Sequence, residues 1–286
     1  MSNANTAIYD KSVDRSAMIR LYERRVNGKV ELVLNGHIVR TDKLIREASF
    51  TQAGFERFRE AVDQELLKTY TEVFGSSQRS LLDLVNDQTS FTFNNLDSAV
   101  SKIWRTNRPN RRIAEEIVLK NPLYKNVTLL EGWSSVSLSE RKRLEQVIRK
   151  GMAEGLTSDA IANLVRKGTH NNITKMQAKG LVITAITSVT TQVDHEVYKA
   201  NKGILVGWQY VAVLDSRTTE LCAHRDGTIY PTEDTAHLPP AHFHCRSTTV
   251  PITKSWEDLA KSQGLNQIRQ NNLAGLTDKQ VRFYDG

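Results

Sequence analysis

Cysteine is scarce in this sequence, and long apolar runs are absent. The 286 residues include only Cys222 and Cys245, and no apolar stretch approaches the roughly 20 residues of a membrane-spanning helix. No secretory signal is expected at the start of the chain, which favours a reducing compartment and unpaired thiols. The mean hydropathy of −0.44 agrees with a protein that has no membrane partner.

The common catalytic signatures are also missing. We find no His-Glu-x-x-His pair, no glycine-rich phosphate loop, no serine nucleophile elbow and no dinucleotide-binding fingerprint. These absences predict a protein that is not an enzyme.

Positive charge is in excess. Lys and Arg total 39 against 32 for Asp and Glu, a net charge of +7, which favours an anionic partner such as nucleic acid. The densest basic stretch is expected to contact nucleic acid or an acidic protein face, although a solvated surface would give the same pattern. Its candidate contact residues are Lys102, Arg105, Arg108, Arg111 and Arg112.

The first part of the chain, residues 1–136, is predicted to be mostly helical with one small β-hairpin near 30–40. There, Asn35-Gly36 lies between two alternating apolar runs, which is typical of a type I′ turn, and His37 is interpreted as a solvated neighbour of that turn. From Thr51 an apolar stripe predicts a helix that ends near Gly75, and residues 90–95 are predicted to form a loop.

Residues 137–252 predict a second unit of mixed structure. Ser137-x-x-Glu140 and Thr174-x-x-Gln177 have the spacing of capping boxes and predict the starts of two helices. A shorter helix is expected between Thr157 and Gly168. The long second helix is followed by a strand at 208–214, an Asp-Gly turn and a last short strand; residues 253–286 form a tail.

Histidine and cysteine crowd into this unit. Residues 208–252 hold both cysteines and four of the seven histidines. Zinc takes four N or S ligands in structural sites, which suggests a zinc site with Cys222, His242 and Cys245 as first choices and His224 or His244 as the fourth. Two alternatives stay open, a reduced cysteine pair without metal and a Cys222–Cys245 disulfide.

The same segment resembles a known family. The residues that carry the resemblance are Asp215, Arg217, Thr218, Cys222, Asp226, Gly227, His242, Cys245, Arg246, Val250 and Pro251. In this order they are similar to the Mu F-like minor head proteins of tailed phages, over about residues 137–252. Thr219 and Ser247 stand where that family usually has two further cysteines, and those two positions are natural partners in space.

The fold class expected is therefore α+β: a mostly helical N-terminal half with a small hairpin, then a helix-plus-small-β module with a Cys/His cluster. Asp215, Arg217 and Gly227 are expected to stabilise the turn, the first two as a buried, bidentate pair. The resemblance implies a non-enzymatic minor head protein located in the phage head or at its portal vertex, and in the host cytoplasm during assembly. The partners implied are portal and other head proteins and packaged double-stranded DNA, with assembly, packaging or ejection of DNA as the function. Two alternatives are a metal-dependent nuclease or other DNA-acting enzyme and a zinc-stapled DNA-binding module.

Overall fold

A computed structural model describes residues 3–100, 106–109, 113–168, 170–255 and 258–259. Seven helices and three strands fall in these ranges. The helices are α1 (Asn3–Glu47), α2 (Gln52–Ala99), α3 (Ile113–Leu119), α4 (Leu129–Ala153), α5 (Ser158–Lys167), α6 (His170–Ala200) and α7 (Glu220–Arg225). The strands are β1 (Leu205–Val211), β2 (Ile229–Tyr230) and β3 (Thr248–Thr253). None of the described helices is long and apolar enough to cross a membrane.

Two long helices, α1 and α2, form the frame on which the other elements pack. The predicted apolar stripe of α2 is confirmed, because Phe55, Phe58, Val62, Leu66 and Tyr70 are all buried. Neither Gly75 nor the segment 90–95 interrupts this helix, so the predicted helix end and loop are both wrong. A glycine inside a helix costs about 1 kcal/mol, and burial of several large side chains against α1 outweighs that cost.

The predicted β-hairpin near 30–40 is also wrong, because α1 is continuous through Asn35-Gly36. Val26, Val30 and Leu34 are buried along one helical face. That spacing lets the helix pack against α2, whereas an isolated hairpin would be only marginally stable. His37 follows on the same face and is 1% exposed, so its interpretation as a solvated residue is wrong as well.

The next helices begin earlier than their capping motifs predict. Thr128 caps α4 in a capping box with Glu131, and Ser137 lies inside the helix. Likewise α6 begins at His170, so Thr174 is internal. The motif spacing alone therefore does not mark a helix start, because a side chain within a helix can have the same spacing. The shorter helix α5 agrees with expectation, with Thr157 as its N-cap and Gly168 as its C-cap.

The C-terminal part is built on a three-stranded antiparallel sheet with the order β2-β1-β3. Trp208 of the central strand pairs with Tyr230 on one side and with Pro251 on the other, and it is fully buried. Thr253 in β3 donates its backbone N–H and its hydroxyl to Asn5 Oδ1, at 3.0 Å and 2.7 Å. The sheet is therefore joined directly to the first turns of α1. Together these features confirm the α+β fold class, with a helical N-terminal half and a Cys/His cluster in the C-terminal part.

A buried carboxylate lies between α2 and α6. Asp194 Oδ1 accepts hydrogen bonds from Gln88 Nε2, at 2.7 Å, and from Thr92 Oγ1, at 2.5 Å. Arg15 of α1 donates to Gln88 Oε1 at 3.0 Å, so its positive charge is near but does not pair directly with the carboxylate. Burial raises the pKa of Asp194 to about 6, against the lowering effect of these hydrogen bonds and of Arg15.

We expect the Asp194→Asn variant to be more stable than the wild type at pH 7.5, by up to about 3 kcal/mol. Because the folded-state pKa of Asp194 is raised to about 6, the folded protein binds an extra proton between about pH 4 and pH 6. The wild type therefore loses stability as pH rises through that window. The asparagine side chain of the variant would keep a hydrogen-bond acceptor at this site without the buried charge. Urea unfolding at several pH values measures both effects, with Asp10→Asn at an exposed site as the control. Equal pH dependence in Asp194→Asn and wild type would contradict this expectation.

Candidate metal centre

Two short segments bring the cysteines together. Thr219 caps α7, where its side chain accepts from the backbone N–H of Cys222 at 3.4 Å, and Cys222 is thereby placed in the first turn of the helix. The second segment is the loop between β2 and β3, which contains His242 and Cys245. Both cysteines are buried, at 2% and 0% exposure, and both are free thiols.

Three side chains converge on one point. Cys222 Sγ lies 3.8 Å from Cys245 Sγ and 3.1 Å from His242 Nε2, and all three ligand atoms lie within 4.8 Å of one another. Two sulfurs bound to one tetrahedral zinc ion, each at about 2.3 Å, would be about 3.8 Å apart. The donor atoms and their spacing therefore fit a metal ion.

The imidazole of His242 has the orientation that metal binding requires. Its Nδ1 lies 2.8 Å from the carbonyl oxygen of Phe243, so the proton is expected on Nδ1. Nε2 then presents its lone pair to the two sulfurs. A backbone carbonyl that fixes the tautomer in this way is a common second partner of a metal-bound histidine.

The two thiols differ in acidity. A hydrogen bond from Cys245 is the largest influence that lowers the pKa of Cys222, to about 4, against the opposing effect of burial. The same interaction and then burial raise the pKa of Cys245. Cys222 is therefore the more acidic of the two thiols, and a thiolate is the form that binds a metal ion.

Helix α6 holds the cysteine loop through a row of hydroxyl groups. Thr187 Oγ1 donates to the carbonyl oxygen of Cys245 at 2.8 Å, and Thr191 Oγ1 donates to that of Pro239 at 2.5 Å. One turn earlier, Thr184 Oγ1 accepts from the backbone N–H of His244 at 3.0 Å. The three threonines lie on one helical face, and they fix the loop backbone on either side of the candidate ligands.

The remaining wall of the cluster is polar. Tyr210 of β1 is fully buried, and its hydroxyl lies 3.2 Å from Cys222 Sγ and 3.9 Å from Cys245 Sγ. The buried Ser247 also lowers the pKa of both thiols. Thr219 and Ser247, which stand at the two positions where further cysteines were expected, therefore both lie against Cys222.

We expect Ser247→Cys to bind zinc at least about tenfold more tightly than the wild type, a gain of about 1.4 kcal/mol. The third sulfur would stand beside the two thiols, where it completes a four-ligand set with His242. Competition with a chromophoric chelator gives the affinity. Ser247→Ala is the matched control, because it removes the same hydroxyl without adding a ligand. Equal affinity in the cysteine and alanine variants would mean that this position does not face the ion.

Three further histidines of this region, His224, His237 and His244, lie outside this cluster of three ligand atoms. His224 is exposed in the last turn of α7. His244 is also exposed, and its ring packs against that of Phe243 at 4.9 Å. His237 stacks on Tyr230 at 4.5 Å. The identity of a fourth ligand among His224 and His244 stays a prediction.

The turn before α7 has a different ion pair from the one expected. Arg217 contacts Asp215 at 3.1 Å, but its side chain is 75% exposed, so the interpretation as a buried, bidentate pair is wrong. The bidentate partner is Arg246, which donates to both carboxylate oxygens at 2.6 Å and 2.5 Å. Arg246 also lowers the pKa of Asp215 more than any other group. Gly227 has a φ of +77° after α7, a conformation that favours glycine.

The basic stretch is only partly described by the structure. Lys102, Arg105, Arg111 and Arg112 lie outside the described residues, as does most of the tail at 253–286. Arg108 is exposed, donates to Ser90 Oγ at 2.5 Å, and lies over the ring of Phe93 at 5.7 Å. This arginine is thus held against α2 with its surface open to solvent.

Sequence reasoning missed the residues that support the cluster. Tyr210 and the threonines of α6 carry no local motif, and their role depends on contacts across the fold. Arg246 did have a signal, since it directly follows Cys245 in the order of residues that carries the family resemblance. Its partner could not be predicted from spacing, because α7 and β2 separate Asp215 from Arg246 in the sequence.

Comparison with known proteins found a similarity in the C-terminal part of the chain. Residues 142–250 match the model of the family described as Phage Mu protein F like protein. The matched segment extends from within α4 into β3 and contains all three residues of the cluster. No curated protein and no solved structure matches the chain.

Proposed function

We propose that this chain is a head morphogenesis protein of a tailed phage, because residues 142–250 match the model of the phage Mu protein F like family. In this proposal it is a minor head protein that associates with the portal and the procapsid and supports head assembly and the packaging or ejection of DNA. The family match over the C-terminal part is the observation that carries the proposal. The place of action is the phage head or portal vertex, and the host cytoplasm during assembly.

The cluster is proposed to be a structural zinc site. Cys222, His242 and Cys245 would hold the ion, and a structural zinc ion supplies folding energy to a segment that has little core of its own. The segment from the end of β1 to the start of β3 contains one six-residue helix and one two-residue strand. A bound metal ion would therefore stabilise a segment that has little regular structure.

A structural role agrees with the contacts of the nearby carboxylates. A metal-dependent hydrolase needs an acid or base beside an open metal position. Asp226 Oδ1 instead accepts from the backbone N–H of Ala212 at 2.7 Å, and Asp234 Oδ2 lies 2.8 Å from His237 Nδ1. Among the described residues, no carboxylate joins the cluster of Cys222, His242 and Cys245.

We assign contacts with DNA or with an acidic portal face to the basic stretch, and the argument for this assignment is its positive charge. The net charge of +7 favours such partners. The exposed guanidinium of Arg108, held over Phe93, has the form that binds a phosphate or carboxylate. The other proposed contact residues are Lys102, Arg105, Arg111 and Arg112.

Copy number in purified virions and procapsids tests the proposed function. We expect a few copies of the chain per particle by quantitative mass spectrometry, and fewer DNA-filled heads when its gene is deleted. Complementation with the wild-type gene is the control. Absence from both particles, together with normal heads in the deletion, would contradict the proposal. Divalent-metal-dependent cleavage of DNA that is lost in His242→Ala would instead support the enzyme alternative.

A further inference from the structure

Helix α1 has a second regular face that no described part of the chain covers. One face is buried against α2, α5, α6 and β3. On the opposite side, alternating steps of four and three residues connect eight exposed positions. They are Asp14, Met18, Leu21, Arg25, Gly28, Leu32, Asn35 and Val39, and we call this line the outer seam of α1.

The outer seam has the pattern of a coiled-coil interface. A repeat of 3.5 residues keeps one line of side chains facing a partner helix. Four of its members are large apolar residues that project into solvent: Leu32 is 73% exposed, Val39 70%, Leu21 63% and Met18 59%. Single exposed leucines are ordinary, but four large apolar residues on one line of one helix indicate a contact surface.

Gly28, near the middle of the seam, has no packing role within the described chain. A Cβ atom added at Gly28 would meet nothing within 4 Å. Glycine in a helix costs about 1 kcal/mol relative to alanine. Its absence of a side chain does, however, leave room for a long side chain from a partner helix.

The charged residues beside the seam would pair with opposite charges on an antiparallel helix of the same sequence. Among the described residues, Arg24, Arg25 and Lys29 take part in no ion pair. Glu31 lies seven residues, about two turns, after Arg24, and its one ion pair among the described residues is with Lys175, at 3.3 Å on the surface. A partner helix that runs in the opposite direction would bring an acidic residue beside Arg24 if it had the same sequence.

We propose that the outer seam of α1 binds the same seam of a second copy of this chain, as an antiparallel helix pair. One alignment of the two antiparallel helices gives a consistent set of contacts between them. Leu21 packs against the partner's Leu32, Arg25 extends over the partner's Gly28, and Arg24 faces the partner's Glu31. Because the pair is two-fold symmetric, each of these contacts occurs twice.

Parallel pairing is disfavoured by the same residues. In a parallel pair in register, Arg25 would face the partner's Arg25 in the core of the seam, and like charges in such a position are destabilising. Antiparallel pairing places that arginine over glycine instead. The polar residues in the seam make the association a reversible one, in about the micromolar range.

Sedimentation equilibrium of the full chain, from about 1 μM to about 200 μM, tests the association. We expect a monomer–dimer equilibrium in the wild type and a monomer throughout in Leu32→Glu. The matched control is Leu67→Glu on α2, at a site that is 65% exposed and outside the seam, and it should dimerise like the wild type. A monomeric wild type over this range, or a dimer unaffected by Leu32→Glu, would overturn the proposal.

Charge exchange and cross-linking test the orientation. Arg24→Glu and Glu31→Arg should each weaken the dimer about tenfold, and the double variant should restore it. Leu21→Cys chains mixed with Leu32→Cys chains should form a disulfide under mild oxidation, while each alone should not, with wild-type protein as the control for Cys222 and Cys245. Cross-links within the Leu32→Cys sample alone would show a parallel pair and overturn the antiparallel register.

Discussion

We expect the purified protein to contain about one zinc ion per chain and the Cys245→Ser variant to contain none. The two sulfurs and His242 Nε2 supply three of the four donors of a structural site, and loss of one of three protein ligands removes most of the affinity. The melting temperature should fall by roughly 10 °C, because metal-binding energy is also folding energy for this segment. Elemental analysis and calorimetry measure both quantities.

Two further variants make this zinc experiment specific. His242→Ala should lose zinc as Cys245→Ser does, since its ring is oriented toward the sulfurs by Phe243. His237→Ala is the matched control, because its ring stacks on Tyr230 away from the cluster. No zinc in the wild type, or unchanged zinc in both ligand variants, would remove the structural-site proposal. The two thiols would then be a reduced pair stabilised by Tyr210 and by the threonines of α6.

The second large effect is expected at His37, at the junction of α1, α2 and α4. We expect His37→Leu to lower the free energy of unfolding by about 3–5 kcal/mol. His37 Nδ1 lies 3.2 Å from Glu65 Oε1, and its Nε2 lies 3.5 Å from Glu140 Oε1. Leucine would leave the buried Glu140 without its positive partner, although Tyr70 would still donate to it at 2.6 Å.

The pH dependence of stability follows from the same contacts. Burial lowers the pKa of His37, but its hydrogen bonds with Glu140 and Glu65 outweigh burial and raise the pKa above 6.5. The stabilisation is therefore fully present below about pH 6.5 and is lost as pH rises through the raised folded-state pKa. Urea unfolding of wild type and His37→Leu at pH 6 and at pH 9 should show a smaller difference at the higher pH.

Two controls distinguish the contribution of the His37 ion pairs to stability from the contribution of side-chain packing. Lys43→Leu, on an exposed part of the same helix, should change stability by no more than about 0.5 kcal/mol. Adding Glu140→Gln to His37→Leu should recover part of the lost stability, because the buried negative charge is then removed while an acceptor for Tyr70 remains. A loss in His37→Leu that is independent of pH and is not recovered by Glu140→Gln would mean that packing alone explains it.

Local sequence patterns determined several features in both halves of the chain. The caps of α5, the apolar stripe of α2 and the turn at Gly227 follow from residue type and spacing over a few positions. The grouping of Cys222, His242 and Cys245 was also predictable, since these rare residue types are concentrated in one short segment. Each of these features depends on backbone preferences or composition that act within the segment itself.

Only the tertiary structure decided those features whose local sequence pattern is compatible with two different structures. Between Val30 and Leu34 the apolar residues fit a strand, with period two, and a helix, with period 3.6, and only packing against α2 selects the helix. Similarly, Asp215 had a candidate partner two residues away, but the fold places Arg246 where both of its guanidinium nitrogens reach the carboxylate. Long-range burial and two-point hydrogen bonding outweigh local preferences that differ by about 1 kcal/mol or less, so these choices depend on contacts between residues that are distant in the sequence.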